Sequence, residues 1–259
     1  MKQYCVDAFA DRVFHGNQAA VCVLDRWPHD SVMLSIAKEN NYSETAFTLK
    51  KEDGYDLRWS TPGGEIDLCG HATLGTSYVL FRFYEQDSRK LVFHTLSGDL
   101  YIERNGDWIE MDLPAYELNE IPVSEDMEKL AGVKPLKAYI DRDLLLVYED
   151  EKTIFEMDPD TEMLERLPGL CVGVTARGKE YDCVSRFFAP KIKIPEDPVT
   201  GSVHAMIVPY WAGVLGKDTI HAYQASERGG ELLCQERGER VMVSGKAALY
   251  AVSDLAVEL

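Results

Sequence analysis

The chain has 259 residues, with 27 Lys plus Arg against 44 Asp plus Glu, and a formal net charge of −17 at pH 7. An acid excess of that size excludes a general nucleic-acid binder, which needs a basic footprint, and argues against docking on an anionic membrane. At 46% hydrophobic residues the chain is too apolar to be disordered, and its length fits one large domain or two medium ones.

Taken in chain order, the first segment, Met1 to Asp7, lacks the apolar stretch of a signal peptide. Pro28 to Asn40 predicts a helix with Asp30 or Ser31 as its cap. Tyr42 to Leu49 and Asp56 to Thr61 read as strands joined by a turn at Glu52-Asp53-Gly54. Gly70 to Arg82 carries Leu74, Tyr78 and Phe81 at helical spacing. Asn105-Gly106 is a hairpin turn, because both residues tolerate positive φ. Leu113-Pro114-Ala115 marks a boundary, giving lobes of 1–114 and 115–259, with a last strand at about 247–259 able to return to the first lobe. Ala205 to Gly213 predicts a second apolar helix ended by Gly213, and Arg237-Gly238 a second hairpin turn. No run approaches the roughly 18 apolar residues of a membrane span; the longest, Val203 to Leu215, is interrupted by His204 and Pro209. The six cysteines show neither a C-x-x-C pair nor a zinc spacing, so reduced thiols in a cytoplasmic protein are expected, with no metal and no cofactor.

An internal repeat links these elements. Gly98 and Gly106 are eight positions apart, as are Gly230 and Gly238, and each second glycine is followed by an acid and an apolar alternation. The second pair lies 132 positions beyond the first. Cys69-Gly70-His71-Ala72-Thr73 and Thr200-Gly201-Ser202-Val203-His204 open the two apolar helices at an offset of 131. Two motifs in the same order at nearly the same offset indicate duplicated halves. Short strands with one long apolar helix per half give an α+β fold in which sheet wraps a buried helix.

Four groups of residues could carry chemistry. Gly70-His71 and Gly201-Ser202 open helices, where free N–H groups and the helix dipole make anion sites; the alternative is two tight strand-to-helix turns. Glu44 sits in an otherwise uncharged strand-like run; it either faces solvent by alternation or is held in a cleft as a proton carrier. Asp197, between Pro195-Glu196 and Pro198, is a second acid/base or a turn residue. Cys69, just before a helix start, has its thiolate favoured and could be a base or nucleophile, or else is a buried inert thiol. His71 could orient a ligand or satisfy local backbone.

At these residues the chain resembles the PhzF-like isomerases of phenazine biosynthesis, within the diaminopimelate epimerase and proline racemase superfamily. The matching stretches are Asp7-Ala8-Phe9 with Gly16-Asn17-Gln18-Ala19-Ala20-Val21, Ser43-Glu44-Thr45-Ala46-Phe47, Asp67-Leu68-Cys69-Gly70-His71-Ala72-Thr73, Arg186-Phe187-Phe188-Ala189-Pro190 and Glu196-Asp197-Pro198-Val199-Thr200-Gly201-Ser202. The resemblance implies two pseudo-symmetric lobes, each a barrel-like sheet around a central helix, with the active site in the cleft between them. It also implies a cofactor-independent isomerase, a homodimer, with Glu44 as the proton-transferring group and Gly70, His71, Asp197, Gly201 and Ser202 lining the ligand site. The racemase relatives place a cysteine before each helix; here Cys69 holds the first position and Thr200 the second. Gln18 stands where the family has proline, and Lys191-Ile192-Lys193 replaces a glycine-containing link.

The expected activity is therefore proton movement on a small anionic, carboxylate-bearing metabolite. Glu44 would remove the proton, Asp197 and His71 would assist, and helix N-termini, not Lys or Arg, would supply the positive potential for the carboxylate. A Cys69-dependent racemase and a non-catalytic carboxylate-binding protein are the alternatives.

Overall fold

In the computed structural model, which describes residues 1–257, the apolar runs become strands and two buried helices, and the glycines mark the turns between them. The chain divides into two units, one of Met1–Asp112 with the segment from Ser244 onward, the other of Leu113–Val243.

The first unit begins with β1 (Lys2–Ala8), β2 (Asn17–Leu24), α1 (Asp30–Asn40) and β3 (Glu44–Lys50). It continues with β4 (Tyr55–Thr61), β5 (Gly64–Ile66), α2 (Gly70–Phe83), β6 (Lys90–Thr95), β7 (Gly98–Asn105) and β8 (Trp108–Pro114). β1 runs antiparallel to β2, β2 parallel to β3 across α1, and β3 antiparallel to β4. β4 pairs parallel with β6 across α2, and β6–β7–β8 is an antiparallel meander. A parallel pair needs a crossover, and in both places a helix supplies it.

The second unit repeats the scheme. β9 (Asn119–Ile121) and α3 (Glu125–Lys129) precede β10 (Lys137–Ile140) and β11 (Leu144–Tyr148). Then come α4 (Glu151–Glu156), α5 (Thr161–Arg166), β12 (Val172–Arg177) and β13 (Cys183–Phe188). α6 (Gly201–Leu215), β14 (Thr219–Gln224), β15 (Gly230–Arg237) and β16 (Arg240–Gly245) complete it. β11 pairs parallel with β12 across α4 and α5, and β13 parallel with β14 across α6. β10–β11, β12–β13 and β14–β15 are antiparallel. β17 (Ala247–Asp254) then pairs antiparallel with β1, in the first unit.

Each unit is built around its long helix. Residues 71–77 of α2 are buried without a break, as are 203–208 of α6, so neither helix has a solvent face over those turns. The hydroxyls this brings into the core bond back to the helix: Thr73 Oγ1 to the Cys69 carbonyl (2.6 Å), Thr76 Oγ1 to that of Ala72 (2.7 Å), and Ser77 Oγ to that of Thr73 (2.7 Å). α2 packs on β1, β2 and β3, with Gly75 facing Val6 and Ala19.

Several boundaries differ from the sequence reading. α1 is capped by His29, whose Nδ1 accepts the Ser31 N–H, and not by Asp30 or Ser31. α6 starts at Gly201 and runs through Gly213 to Leu215, ending on Gly216 at φ 65°. It survives Pro209 because the Ala205 carbonyl, which proline leaves without its helical donor, accepts the Tyr116 N–H at 3.1 Å. The hairpin loops are Gly106-Asp107 and Gly238-Glu239, one residue later than expected, because only the glycine of each turn takes positive φ.

Gly16 has φ +67°, and a Cβ there would run into the Ala8 carbonyl oxygen, whereas a Cβ on Gly75 would make ordinary contact with Ala19 and Val6 at 3.5–3.7 Å. Gly16→Ala is therefore expected to cost about 2 kcal/mol or more. Gly75→Ala should be neutral or add up to about 1 kcal/mol through helix propensity. Urea unfolding of the two variants beside the parent protein checks this.

Candidate active site

Three of the expected residues meet in the first unit. Glu44 opens β3, opposite Ala19 of β2; Cys69 and His71 sit at the head of α2. Because α2 lies over β1–β3, its first turn is carried to the starting end of β3. Glu44 is 6% exposed, His71 6% and Cys69 7%, so the reading of Glu44 as a solvent-facing strand residue is excluded.

The imidazole lies between the other two side chains. His71 Nε2 is 3.0 Å from Glu44 Oε2, and His71 Nδ1 is 3.6 Å from Cys69 Sγ. The Glu44–His71 contact is an ion pair off the line of a good hydrogen bond, and neither atom has an aligned hydrogen-bond partner among the described residues. Asn17, at the start of β2, holds the ring from behind with its amide 3.2 Å from Nδ1. Burial works against a charged His71, but Cys69 and Glu44 outweigh it, and the His71 pKa stands well above its usual value. Asn17 presents its amide Nδ2 to the ring at Nδ1.

The cysteine behaves otherwise than its helix-start position suggests. Burial pushes the Cys69 thiol up to about 11, Glu44 adds to the rise, and His71 and the Ala72 amide oppose it incompletely. The thiolate is not favoured, because loss of water and a neighbouring carboxylate outweigh the helix dipole. Neither α2 nor α6 has a side-chain cap at its N-terminus, so the first-turn amides, including Gly70 and His71 in one and Gly201 and Ser202 in the other, receive no capping side chain.

The second unit gathers the remaining candidates. Thr200 Oγ1 donates to Asp197 Oδ2 at 2.5 Å, a charge-assisted bond. Gln224 accepts the Thr200 N–H at 2.8 Å and donates Nε2 to the Asp197 carbonyl at 2.7 Å, which locks the turn entering α6. Cys69 and Thr200 share one backbone conformation, φ/ψ −145°/110° and −122°/109°. Thr73 and His204, each four residues on, both bond back to that residue's carbonyl, His204 through Nδ1 at 2.7 Å. Burial lowers the His204 pKa to about 4, so this histidine is a neutral core residue.

The sequence reading missed several residues of this environment. Asn17 was legible only as part of a motif. Gln224 carried no local signal. Arg142 carried no local signal either: its Nη2 donates to Ser202 Oγ at 3.2 Å and to buried Asp143 at 2.7 Å. Lys191, a departure from the family pattern, donates to the Leu167 and Gly169 carbonyls at 2.6 Å and so ties down a neighbouring loop. Arg186 pairs bidentately with Glu196 at 2.7 and 2.8 Å.

Two units of one topology, each with a sheet around a buried helix, make this a diaminopimelate epimerase-like fold. A probable proline racemase from Agrobacterium radiobacter shares that fold at a TM-score of 0.66 and 8% identity, over 99% of this chain and 93% of its own. The family is more specific. The model for "Phenazine biosynthesis-like protein" matches residues 6–252, and the chain belongs to that family. An uncharacterised isomerase of Pseudomonas aeruginosa is 48% identical over 245 residues, covering 95% of each chain. A crystal structure of a PhzF-family protein from Enterococcus faecalis superposes with a TM-score of 0.97 at 46% identity, covering 99% of both chains. With these relatives the protein is an enzyme of the isomerase class. Among the described residues no helix is long and apolar enough to cross a membrane.

The raised His71 pKa has a consequence for stability. A group whose folded value is raised adds stability that is fully present below its unfolded value, about 6.5, and lost as pH rises through the folded value. In Glu44→Gln the carboxylate is gone and burial is opposed by Cys69 alone, so the His71 contribution should shrink and the variant should lose most toward acid. Urea midpoints of both proteins across neutral pH should show their difference shrinking as pH rises.

Proposed function

We propose that the protein is an acid/base isomerase that moves a proton on a small carboxylate-bearing metabolite, with Glu44 as the base. The observation that carries this reading is the buried Glu44–His71 pair at 3.0 Å beside uncapped helix amides. A carboxylate shielded from water and oriented by one imidazole can accept a proton from carbon and return it to a neighbouring position. His71, charged, stabilises the negative charge that develops on the substrate as the proton leaves. The first-turn N–H groups of α2, Gly70 and His71 among them, are suited to a substrate carboxylate or the oxyanion formed from it. Asp197, Thr200, Gly201 and Ser202 are proposed to orient the ligand. The reading needs only the protein's own side chains and main chain.

A second reading, a thiol base at Cys69, is favoured by its position 3.6 Å from the same imidazole and opposed by a thiol pKa pushed up to about 11. Solvent exchange separates the two. Small carboxylates bearing an acidic C–H are incubated with the enzyme in heavy water and followed by proton NMR. Wild type should exchange a proton on at least one of them. Glu44→Gln should slow that exchange by about 10²–10⁴-fold, while Cys69→Ser should stay within a few-fold. Unchanged exchange in Glu44→Gln removes Glu44 as the base; loss in Cys69→Ser alone assigns the chemistry to the thiol.

A further inference from the structure

We propose that a cavity of the first unit, beside the last turns of α2, binds a small aminodicarboxylate, an amino acid with a second acidic group. The inference does not rest on the acid/base reading. Arg82, which lines the cavity, lies eleven residues beyond His71, about 16 Å further along α2 at a helical rise of about 1.5 Å per residue.

The cavity has a volume of about 460 Å³, within the usual range for small-molecule sites. Its lining includes Phe81 of α2 and Ile109 of β8, each 3% exposed, with half-buried Tyr78 beside them. Backbone brings charge to this space from three places. Arg82 comes from the last turn of α2. Arg104 and Asp107 flank the Gly106 turn of the β7–β8 hairpin. Lys246 and Asp11 arrive together, because the Lys246 carbonyl accepts the N–H of Ala10, the residue before Asp11, at 3.1 Å.

These charges point to a ligand because they do not pair. Asp and Glu outnumber Lys and Arg by 44 to 27 in the chain, so its cations have acids in excess to choose from. Yet Arg82, Arg104, Lys246, Asp11 and Asp107 line one cavity, and among the described residues none of the five forms an ion pair. The cations are held by other contacts. Arg104 lies over the Phe81 ring at 4.8 Å and donates to the Gln86 and Ser88 carbonyls at 2.7 and 2.8 Å. Arg82 lies over the Tyr78 ring at 5.6 Å and donates to its hydroxyl. Lys246 lies over the Trp108 ring at 4.9 Å. Stacking of this kind positions a cation and leaves its charge unneutralised. Both signs of charge therefore line one open space without closing it.

The ligand class follows from the balance. Three cations against two acids leave one positive charge in excess. A molecule with two carboxylates and one ammonium carries the matching single negative charge and offers each sign an opposite partner. Its carboxylates pair with the cations, where a guanidinium can give two parallel N–H bonds. Its ammonium pairs with the aspartates, and its carbon chain lies against Tyr78 and Ile109. A simple anion such as phosphate would leave the two aspartates without a partner.

L-Glutamate is the probe. Calorimetric titration of the full-length protein should show saturable binding. Glutarate, which lacks the ammonium, 4-aminobutyrate, which lacks the α-carboxylate, and inorganic phosphate should each bind about tenfold more weakly or worse, the loss of one charged hydrogen bond. In amide NMR the L-glutamate shifts should centre on Gly106, Asp107, Lys246 and Ala247. Lys246→Ala and Asp107→Asn should each weaken L-glutamate by about tenfold or more, while Lys246→Arg, which keeps the charge, should stay within a few-fold. No saturation at millimolar L-glutamate, equal binding of glutarate or phosphate, unchanged affinity in Lys246→Ala, or shifts confined to the Gly70–His71 end of α2 overturns the proposal. The solvent-exchange test is separate, since neither Lys246 nor Asp107 takes part in it.

Discussion

A carboxylate and an imidazole held 3.0 Å apart, with almost no water around either, constrain everything near them. Such a pair is expensive to bury, and it persists only where the surroundings hold both partners in register. Here the register is set by backbone: Glu44 is the first residue of β3, His71 the second of α2, and α2 packs on β1–β3. The raised His71 pKa draws first on Cys69 and then on Glu44, and the Cys69 thiol is kept protonated first by burial and then by Glu44.

The two units reach similar helix starts by different chemistry. Both present an extended residue before the helix, a glycine as its first residue, and a side chain four positions on that bonds back to the carbonyl before it. The first unit spends this arrangement on titratable groups, Cys69 and His71. The second places Thr200, Ser202 and Gln224 there, with Asp197 held by a hydroxyl and Arg142 reaching the first turn. Duplication therefore preserved the backbone and let the side chains diverge, which is how one scaffold supports different proton-transfer chemistry.

Much of this was legible along the chain because it is local. The glycine-led helix starts, the hairpin glycines and the repeat offset are short-range patterns, and the family motifs contain Glu44, Cys69, His71 and Asp197. What escaped depends on contacts across the fold. Gln224 meets Thr200 from β14, and Arg142 meets Ser202 from the turn after β10; neither has a neighbour in sequence to betray it. Alternation could not decide whether Glu44 faced inward, since β3 is buried on both faces over its first five residues. The helix-start rule for Cys69 failed because burial and a carboxylate 25 residues earlier outweigh a dipole. The donor that lets α6 run through Pro209, the Tyr116 N–H, likewise lies far away in the chain.

The protonation of His71 tests the account most directly. In ¹⁵N NMR of the imidazole nitrogens at pH 7.5, the buried pair predicts both His71 nitrogens protonated, one facing Glu44 and one facing Asn17 and Cys69. A neutral ring, with one bare nitrogen at that pH, would contradict the charge pair on which the proposed chemistry stands.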